Sequence, residues 1–296
     1  MKYLIPFILI LFLTGCASQI NSEVISYAKD DGNISVYFCP EDNCSAVLVD
    51  FIEEGVDCAF YDLELDEVIN SIEENNVRLV GNNRSGWGIM HNKFCVGDDK
   101  VITGSFNPTY NNNHNNLVVI NSRLLANNYK AEFEELLDGD FGKGDRVLIP
   151  NIDLSGIKIK NYFCPEDDCS LKIINEIKKA ERSVYFMVFS FTHEQIANSL
   201  VLAMEKDVEV KGVFEKSTNR EYSMFDFLDF QEADVKWDNV TGKLHHKVFI
   251  IDNKTVITGS MNPSKSGDNQ NDENILIIYS KDIADKYLQE FEKIYK

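Results

Sequence analysis

The chain has 296 residues, of which 44% are hydrophobic and 26% charged, and its formal net charge is −19 at pH 7. A chain of this size can bury one large core or two ordinary ones, so a globular fold is expected. The strong negative charge excludes a surface built for nonspecific attraction to DNA or anionic lipid, because both present phosphates. Any phosphate chemistry therefore requires a locally basic site.

The first residues, MKYLIPFILILFLTGCASQ, have the layout of an export signal, with an early lysine and an apolar run over residues 4–13. This run is shorter than the ~20 residues that span a bilayer. Its end, LTGC, resembles the lipobox of prokaryotic lipoproteins, in which the cysteine is lipidated; an ordinary cleaved signal peptide is the alternative. We expect a signal peptide over 1–15, lipidation of Cys16 and a polar tether over 16–33. The predicted localisation is the cell envelope, as an exported, membrane-anchored lipoprotein.

The rest of the chain repeats one order of elements, which indicates a tandem duplication. Each half opens with a strand and a cysteine loop, YFCPEDNCS or YFCPEDDCS, and closes with a strand and a long amphipathic helix. The pattern breaks at IPNIDLS, which places the units at 34–150 and 151–296. The second half carries an insertion around VEVKGVFEKSTNREYSMFDFLDFQEA, which predicts one more strand and an aromatic-rich helix or loop. The fold class is α/β, with two similar units that each pack a mixed sheet between helices.

Six cysteines follow Cys16, and an even number in an exported protein favours disulfides. Each cysteine loop is expected to close on itself, and the two cysteines in strand-like runs form the remaining pair. The expected pairs are Cys39–Cys44, Cys164–Cys169 and Cys58–Cys95. A four-cysteine zinc site is the alternative, although zinc ligands are usually spaced more closely.

The stretch MHNKFCVGDDKVITGSFNP in the first half recurs as LHHKVFIIDNKTVITGSMNP in the second. In each copy a histidine and a lysine lie two residues apart, and the returning strand of a hairpin brings a serine and an asparagine to the same patch. The two sets are His91, Lys93, Ser105 and Asn107, and His245, Lys247, Ser260 and Asn262.

These side chains suit a phosphodiester. The lysines neutralise charge, while serine and asparagine are expected to bind the phosphate oxygens. Two imidazoles can divide the reaction, because one attacks phosphorus while the other protonates the leaving oxygen. The repetition therefore predicts a single site to which each half contributes one histidine.

The pattern HxKxxxxD followed by GSxxN resembles the signature of the phospholipase D superfamily, with a six-residue spacer in the second copy and five in the first. The resemblance implies two phospholipase D-like units related by a pseudo-twofold axis, a covalent phosphohistidine intermediate, and no cofactor or metal. It also implies an internal pseudo-dimer within a monomer. Asp98, Asp252, Gly104 and Gly259 complete the motifs, and we expect the aspartates to fix the hairpins.

The family often places a glutamate just before an asparagine downstream of GSxxN, where it orients a histidine. Glu273 fits this position in the second half, whereas Asn115 occupies it in the first. Relatives that cleave tyrosyl-DNA bonds also have an amide in the N-terminal half, which holds the nucleophile. By that analogy His91 is expected to be the nucleophile and His245 the general acid/base.

The motif does not identify the leaving group of the substrate. A phospholipid headgroup is preferred, because the predicted lipid anchor brings the enzyme to membrane. A nuclease is the alternative, but the net charge of −19 disfavours nucleic acid as a partner, and Arg84 and Lys243 are too few to form a groove. A decayed, noncatalytic binding protein fits poorly with two intact motifs. A set of apolar residues either forms a rim around the substrate site or belongs to the core. The set is Trp87, Tyr222, Met224, Phe225, Phe227, Leu228 and Phe230. The other histidines, His114, His193 and His246, are expected to be structural.

Overall fold

The structure is a computed structural model that describes residues 26–82 and 88–296. The predicted signal peptide, Cys16 and the first part of the predicted tether lie outside the described residues, as do Arg84 and Trp87. Within the described ranges, no helix combines the length and apolar character needed to cross a membrane.

The first unit is a six-stranded sheet with helices on both faces. A short strand, β1 (Ala28–Asp30), precedes it. Its elements in chain order are β2 (Asn33–Cys39), α1 (Cys44–Phe51), β3 (Asp57–Phe60), α2 (Asp66–Glu74), β4 (Arg78–Val80), β5 (Lys93–Val96), β6 (Lys100–Gly104), β7 (Asn115–Asn121) and α3 (Arg123–Asp138).

The second unit is built on a nine-stranded sheet, which also takes in β1. Its elements are β8 (Asn151–Leu154), β9 (Ile157–Cys164), α4 (Cys169–Ile177), β10 (Ser183–Val188), α5 (Glu194–Met204), β11 (Glu209–Phe214), a 3-10 turn (Arg220–Tyr222), α6 (Phe225–Phe230), β12 (Asp234–Trp237), β13 (Lys247–Ile251), β14 (Thr255–Gly259), α7 (Lys265–Asn269), β15 (Glu273–Tyr279) and α8 (Lys281–Tyr295).

The two sheets share one strand order, β2-β7-β6-β5-β3-β4 in the first and β9-β15-β14-β13-β10-β11 in the second. This confirms the prediction of two similar α/β units. The prediction for the insertion is partly wrong. Strand β11 lies parallel to β10 just as β4 lies parallel to β3, so β11 is the counterpart of β4. The strand that the second unit adds is therefore β12, which extends the sheet beyond β11 and follows α6.

The two units share a central core rather than meeting at a thin interface. Helices α3 and α8 lie in this core, where Tyr129, Phe133, Tyr287 and Phe291 are buried together with the facing side chains of both sheets. The outer faces are covered by α1 and α2 in the first unit and by α4 and α5 in the second. This arrangement turns the hairpins that carry the two motifs toward each other.

The predicted tether is wrong for its last residues. Strand β1 pairs in parallel with β8, so the segment before the first unit is part of the second unit's sheet. The carboxylate of Asp30 accepts hydrogen bonds from the Ser122 hydroxyl at 2.6 Å and the Leu124 amide at 2.9 Å, at the start of α3. A three-residue strand is too short to show an alternating pattern, which explains why composition alone indicated a linker.

The three predicted disulfides are present. Cys58 and Cys95 are directly opposite on the antiparallel strands β3 and β5, with their Cα atoms 4.1 Å apart. Because all six cysteines are paired in separate places, they do not form the alternative zinc site. Cys39 lies opposite Asn115, and Cys164 lies opposite Glu273, so each small loop adjoins a residue predicted to orient a histidine.

The aromatic residues of the insertion do not form a continuous rim. Leu228 is fully buried, and Phe225 stacks on Trp237 with a centroid distance of 4.2 Å. Only Tyr222 and Phe230 of this set are largely exposed. The core interpretation is therefore correct for most of them, because an added strand needs apolar cover on its face.

Candidate active site

Each motif histidine lies just before a central strand and is fixed to the other unit through its backbone. The amide of His91 donates to the carbonyl of Asp272 at 3.0 Å, and the amide of His245 donates to the carbonyl of His114 at 2.8 Å. Both bonds belong to isolated bridges that pair the segment before a histidine with the start of β15 or β7. Neither histidine can therefore be placed correctly without the opposite unit.

His91 is oriented by Glu273 of the second unit. The Nδ1 atom of His91 lies 2.8 Å from Oε2 of Glu273, and the Ser260 hydroxyl donates to that same oxygen at 2.7 Å. A carboxylate only accepts, so the imidazole proton lies on Nδ1 and Nε2 keeps a free lone pair.

His245 is oriented by the first unit in the same way, but by neutral groups. Its Nδ1 lies 2.8 Å from Oδ1 of Asn115 and 3.0 Å from the carbonyl of Ser105. Two acceptors again place the proton on Nδ1. The site thus has one histidine paired with a carboxylate and one paired with an amide, and both pairs cross between units.

The two motif serines brace the orienting residues. Ser105 donates to Oδ1 of Asn115 at 3.1 Å, and Ser260 donates to Glu273. Each hydroxyl hydrogen is directed at an orienting residue, and the prediction that the two serines bind phosphate stays a prediction. The Oδ1 atoms of Asn107 and Asn262 are buried without a partner among the described residues. A phosphate contact would need their Nδ2 groups as donors, and it stays a prediction.

The motif glycines are required by the serines that follow them. Gly104 and Gly259 have φ angles of 148° and 147°. A Cβ atom at either position would lie 2.2 Å from the carbonyl oxygen of Asn116 or Asn274. Only glycine allows this approach, which lets each serine hydroxyl accept the amide hydrogen of the same asparagine at 3.0 Å.

The motif aspartates lie away from the reacting groups, as expected. Asp252 accepts backbone hydrogen bonds from Glu181, Arg182 and Ser183 at the start of β10. Asp98 is exposed and forms an ion pair with Lys130 at 2.6 Å. Asp252 thus holds the start of β10, whereas Asp98 pairs with a lysine of α3, and neither carboxylate bonds to a motif histidine or lysine.

The lysines of the site are buried and bonded to the motif backbone. Nζ of Lys93 donates to the carbonyl of His91, and Nζ of Lys247 donates to the carbonyl of His245, each at 2.7 Å. Burial lowers the pKa of Lys93 to about 8 and, together with Lys93, holds the pKa of Lys247 well below its usual range. The remaining donor capacity of each ammonium is available for phosphate oxygens.

Burial and the two lysines also hold the pKa values of His91 and His245 well below their usual range. Burial raises the pKa of Glu273 to about 8, against the opposing effect of Lys93. His91 and Glu273 therefore titrate as a coupled pair, and the hydrogen bond that Oε2 accepts from Ser260 favours the proton on Nδ1 of His91. Both imidazoles are therefore neutral, and their unprotonated Nε2 atoms are suited to nucleophilic attack and proton transfer.

The asparagines that follow the orienting residues anchor one unit to the other, and this role was not predicted from the sequence. Asn274 donates to Asn92 at 2.8 Å and accepts from Tyr129, whereas Asn116 donates to Tyr287 at 2.9 Å. The signal was available, because each half repeats an asparagine near the start of the last strand and a tyrosine in the last helix.

Two aromatic rings that contact the motif histidines were also not predicted. Tyr61 contacts His91 edge-on with centroids 4.9 Å apart, and Phe189 contacts His245 in the same way at 4.8 Å. Each ring also lies near its lysine, with Nζ of Lys93 5.3 Å from Tyr61 and Nζ of Lys247 5.1 Å from Phe189. These rings exclude water from one side of each histidine.

Three carboxylates beside the first histidine strand are close enough to hold a cation. One oxygen each of Glu132, Glu135 and Glu166 lies within 4.8 Å of the others. Burial raises the pKa of Glu166 to about 7 and that of Asp272 also to about 7. These groups are outside the pair of motif histidines.

His193 is confirmed as a helix-start residue, since it caps α5.

Comparison with known proteins agrees with this geometry. A family described as the phospholipase D-like domain of cardiolipin synthase matches residues 22–137 and 173–295. A phospholipase D of Rickettsia conorii is 36% identical over 138 residues, which are 46% of this chain and 69% of that protein. A mitochondrial cardiolipin hydrolase of Xenopus laevis is 29% identical over 146 residues, which are 47% of this chain and 68% of that protein.

Among solved structures, a phosphatidylserine synthase of Haemophilus influenzae aligns with a TM-score of 0.64 and 9% identity, over 87% of this chain and 86% of that one. At this identity the likeness concerns the fold alone. The family match spans both units and includes every motif residue described above. The chain therefore belongs to the phospholipase D-like family and is a phosphodiester-hydrolysing enzyme.

Proposed function

We propose that the protein hydrolyses the headgroup ester of a membrane phospholipid, with His91 as nucleophile and His245 as general acid and base. The observation that carries this proposal is the unequal pairing of the two histidines. Glu273 supports His91, whereas the neutral Asn115 supports His245.

The carboxylate favours His91 as the nucleophile. Attack by Nε2 on phosphorus leaves a proton on Nδ1, so the ring of the phosphohistidine carries positive charge. Glu273, 2.8 Å from Nδ1, stabilises that charge. A histidine that hydrogen-bonds to an amide instead forms a more acidic imidazolium, which suits His245 to proton donation. The role assignment expected from analogy thus acquires a physical basis.

The reaction proceeds in two balanced steps. In the first, Nε2 of His91 forms a bond to phosphorus, the bond from phosphorus to the leaving oxygen breaks, and that oxygen takes a proton from Nε2 of His245. In the second, His245 takes a proton from water, the water oxygen bonds to phosphorus, and the bond from phosphorus to His91 breaks. The bound phosphodiester anion offsets the charges of Lys93 and Lys247, which favours the protonated form of His245.

Charge and relatives support a lipid rather than a nucleic acid. The net charge of −19 repels a polyanion, whereas an anchored enzyme does not need long-range attraction to reach lipid. Relatives are named phospholipase D and mitochondrial cardiolipin hydrolase. We further propose that Cys16, outside the described residues, anchors the exported protein to a membrane of the cell envelope.

In the test, the purified full-length chain is incubated in parallel with phosphatidylcholine vesicles, with cardiolipin-containing vesicles and with supercoiled plasmid. We expect headgroup release from at least one vesicle type and intact plasmid. His91→Ala and His245→Ala should each abolish release, because one site needs both imidazoles. Plasmid nicking without lipid turnover would contradict the lipid proposal, and full turnover in either single variant would contradict the shared site.

A further inference from the structure

A group of side chains of the types that can ligate a metal lies close to the motif histidine of the second unit, where the two units meet. One ligand atom each of Glu41, His114 and Glu290 lies within 4.8 Å of the others. Glu41 and His114 belong to the first unit, and Glu290 belongs to α8 of the second. Nε2 of His246, the neighbour of His245 in the chain, lies 3.9 Å from Oε1 of Glu290.

The ring of His246 has an unsatisfied nitrogen in the protein interior. His246 is fully buried, and within the described ranges its Nε2 has no hydrogen-bond partner; the same holds for Nδ1 of His114. Nδ1 of His246 faces Oδ1 of Asn116 at 3.3 Å. Because the Asn116 oxygen is an acceptor, the imidazole proton lies on Nδ1, and Nε2 presents a lone pair.

The lone pair on Nε2 therefore faces the carboxylate of Glu290 and meets no donor among the described residues. A polar atom left without a partner in the protein interior is unfavourable. A positively charged ligand between the two atoms would relieve it.

The pseudo-symmetric position shows how the same contact is satisfied directly. Asn92 occupies the place of His246 between the motif histidine and lysine, and Glu132 on α3 occupies the place of Glu290 on α8. There, the amide of Asn92 donates to Oε1 of Glu132 at 2.9 Å. The second unit has an acceptor where the first unit has a donor, so the two contacts require different partners.

We propose that Glu41, His114, His246 and Glu290 bind a divalent transition-metal ion of the zinc class that links the two units. Two imidazoles and two carboxylates are a ligand set that zinc accepts, and bonds of about 2.0–2.2 Å place such ligand atoms roughly 3–4 Å apart. The two carboxylates balance the charge of the ion.

The surroundings of the four ligands fit this site. Nζ of Lys293 binds Oε2 of Glu290 at 3.0 Å, which leaves Oε1 directed at His246. Asn116 holds the distal nitrogen of His246, as outer partners of metal-bound imidazoles do. Glu41 is exposed, so an ion can reach the site from solvent. The ion would act as a cross-link beside His245 and take no part in the reaction.

The experiment compares the full-length chain without an affinity tag, stripped of metal, before and after addition of zinc chloride. Metal content after gel filtration and the thermal unfolding midpoint are both measured. We expect about one zinc per chain and a rise of the midpoint with zinc. Calcium chloride is the hard-cation control: because calcium prefers oxygen ligands, any effect that it has on the midpoint should be the same in the wild type and in His246→Asn.

Two variants make the test specific. His246→Asn recreates the contact between Asn92 and Glu132, so without metal it should unfold at a midpoint no lower than that of the wild type, and it should lose the zinc-dependent rise. Glu41→Gln changes an exposed ligand and should weaken zinc binding at least about tenfold. Glu166→Gln, at the pseudo-symmetric place of Glu41, is the control that should bind zinc as the wild type does. A wild-type chain that binds no zinc, or a His246→Asn chain that binds it equally well, would overturn the proposal.

Discussion

Glu273 of the second unit holds Nδ1 of His91 in the first unit at 2.8 Å, although 182 positions separate them in the chain. The reciprocal bond, from His245 to Asn115, has the same length but a neutral acceptor. The duplicated motif thus produces one site by exchange, since each unit supplies a histidine and orients the histidine of the other. The environments of the two histidines differ because one orienting residue is a carboxylate and the other is a neutral amide.

The first prediction concerns Glu273→Gln. An amide can donate to Nδ1 and so favour the tautomer whose Nε2 carries the proton, which removes the attacking lone pair. We expect kcat to fall by about 10²- to 10⁴-fold, as when a histidine-orienting carboxylate is replaced elsewhere. The measurement is steady-state turnover of a vesicle substrate. Turnover within a few-fold of wild type would show that the carboxylate is dispensable.

Asn115→Asp is the matched change at the other histidine. It gives His245 a carboxylate partner and should raise the pKa of that imidazole. A general acid works while protonated, so the alkaline limb of the pH profile of kcat should move to higher pH. If His245 were the nucleophile, the acidic limb would move instead, which makes the profile diagnostic of the two roles.

The third prediction concerns the covalent intermediate. With a p-nitrophenyl phosphodiester the leaving group needs no proton, so His245→Asn should complete the first step and stall before hydrolysis. We expect a burst of about one nitrophenol per chain and a phosphoryl group on His91. Mass spectrometry at alkaline pH, where phosphohistidine persists, locates the group. His91→Asn should give no burst, and a group found on His245 in His91→Asn would reverse the assignment.

The sequence predicts most of what is local. The histidines, lysines, glycines and disulfide pairs recur at fixed spacing within each half, so their roles follow from one copy compared with the other. The exchange of orienting residues is different, because it depends on how the units dock. Nothing in the spacing of Glu273 indicates that its partner is His91 rather than His245. The same limit explains why β1 was missed, since its partner β8 lies more than 100 residues away.

A fourth prediction comes from the acidic group beside His91. Burial and Glu273 raise the pKa of Asp272 to about 7, above the ~3.9 of an unfolded chain. The folded state therefore binds more protons than the unfolded state between these values, and the stability that the wild type owes to this group is lost as pH rises through the window. Asp272→Asn avoids that loss.

We expect Asp272→Asn to be more stable than wild type by about 1–3 kcal/mol at pH 8 and equally stable near pH 4. The free energy of unfolding in urea at both pH values is the measurement. Asp98→Asn is the control, because Asp98 is exposed and its ion pair with Lys130 lowers its pKa. A gain at pH 4 as large as at pH 8 would show that the effect is not due to ionisation.

The last prediction separates the disulfides by the length of chain that they close. Cys58 and Cys95 are 37 positions apart, whereas Cys39 and Cys44 are 5 apart. In the chain-entropy model the longer loop restricts the unfolded state more, so replacing Cys58 and Cys95 by serine should cost about 4 kcal/mol and replacing Cys39 and Cys44 about 2 kcal/mol. Urea unfolding of the two double variants measures both costs. The order should reverse for activity, because Cys39 lies opposite Asn115 and its loop holds the strand that orients His245. If the Cys58 and Cys95 variant lost more turnover at a temperature where both variants are folded, the cysteine loops would have no part in positioning the site.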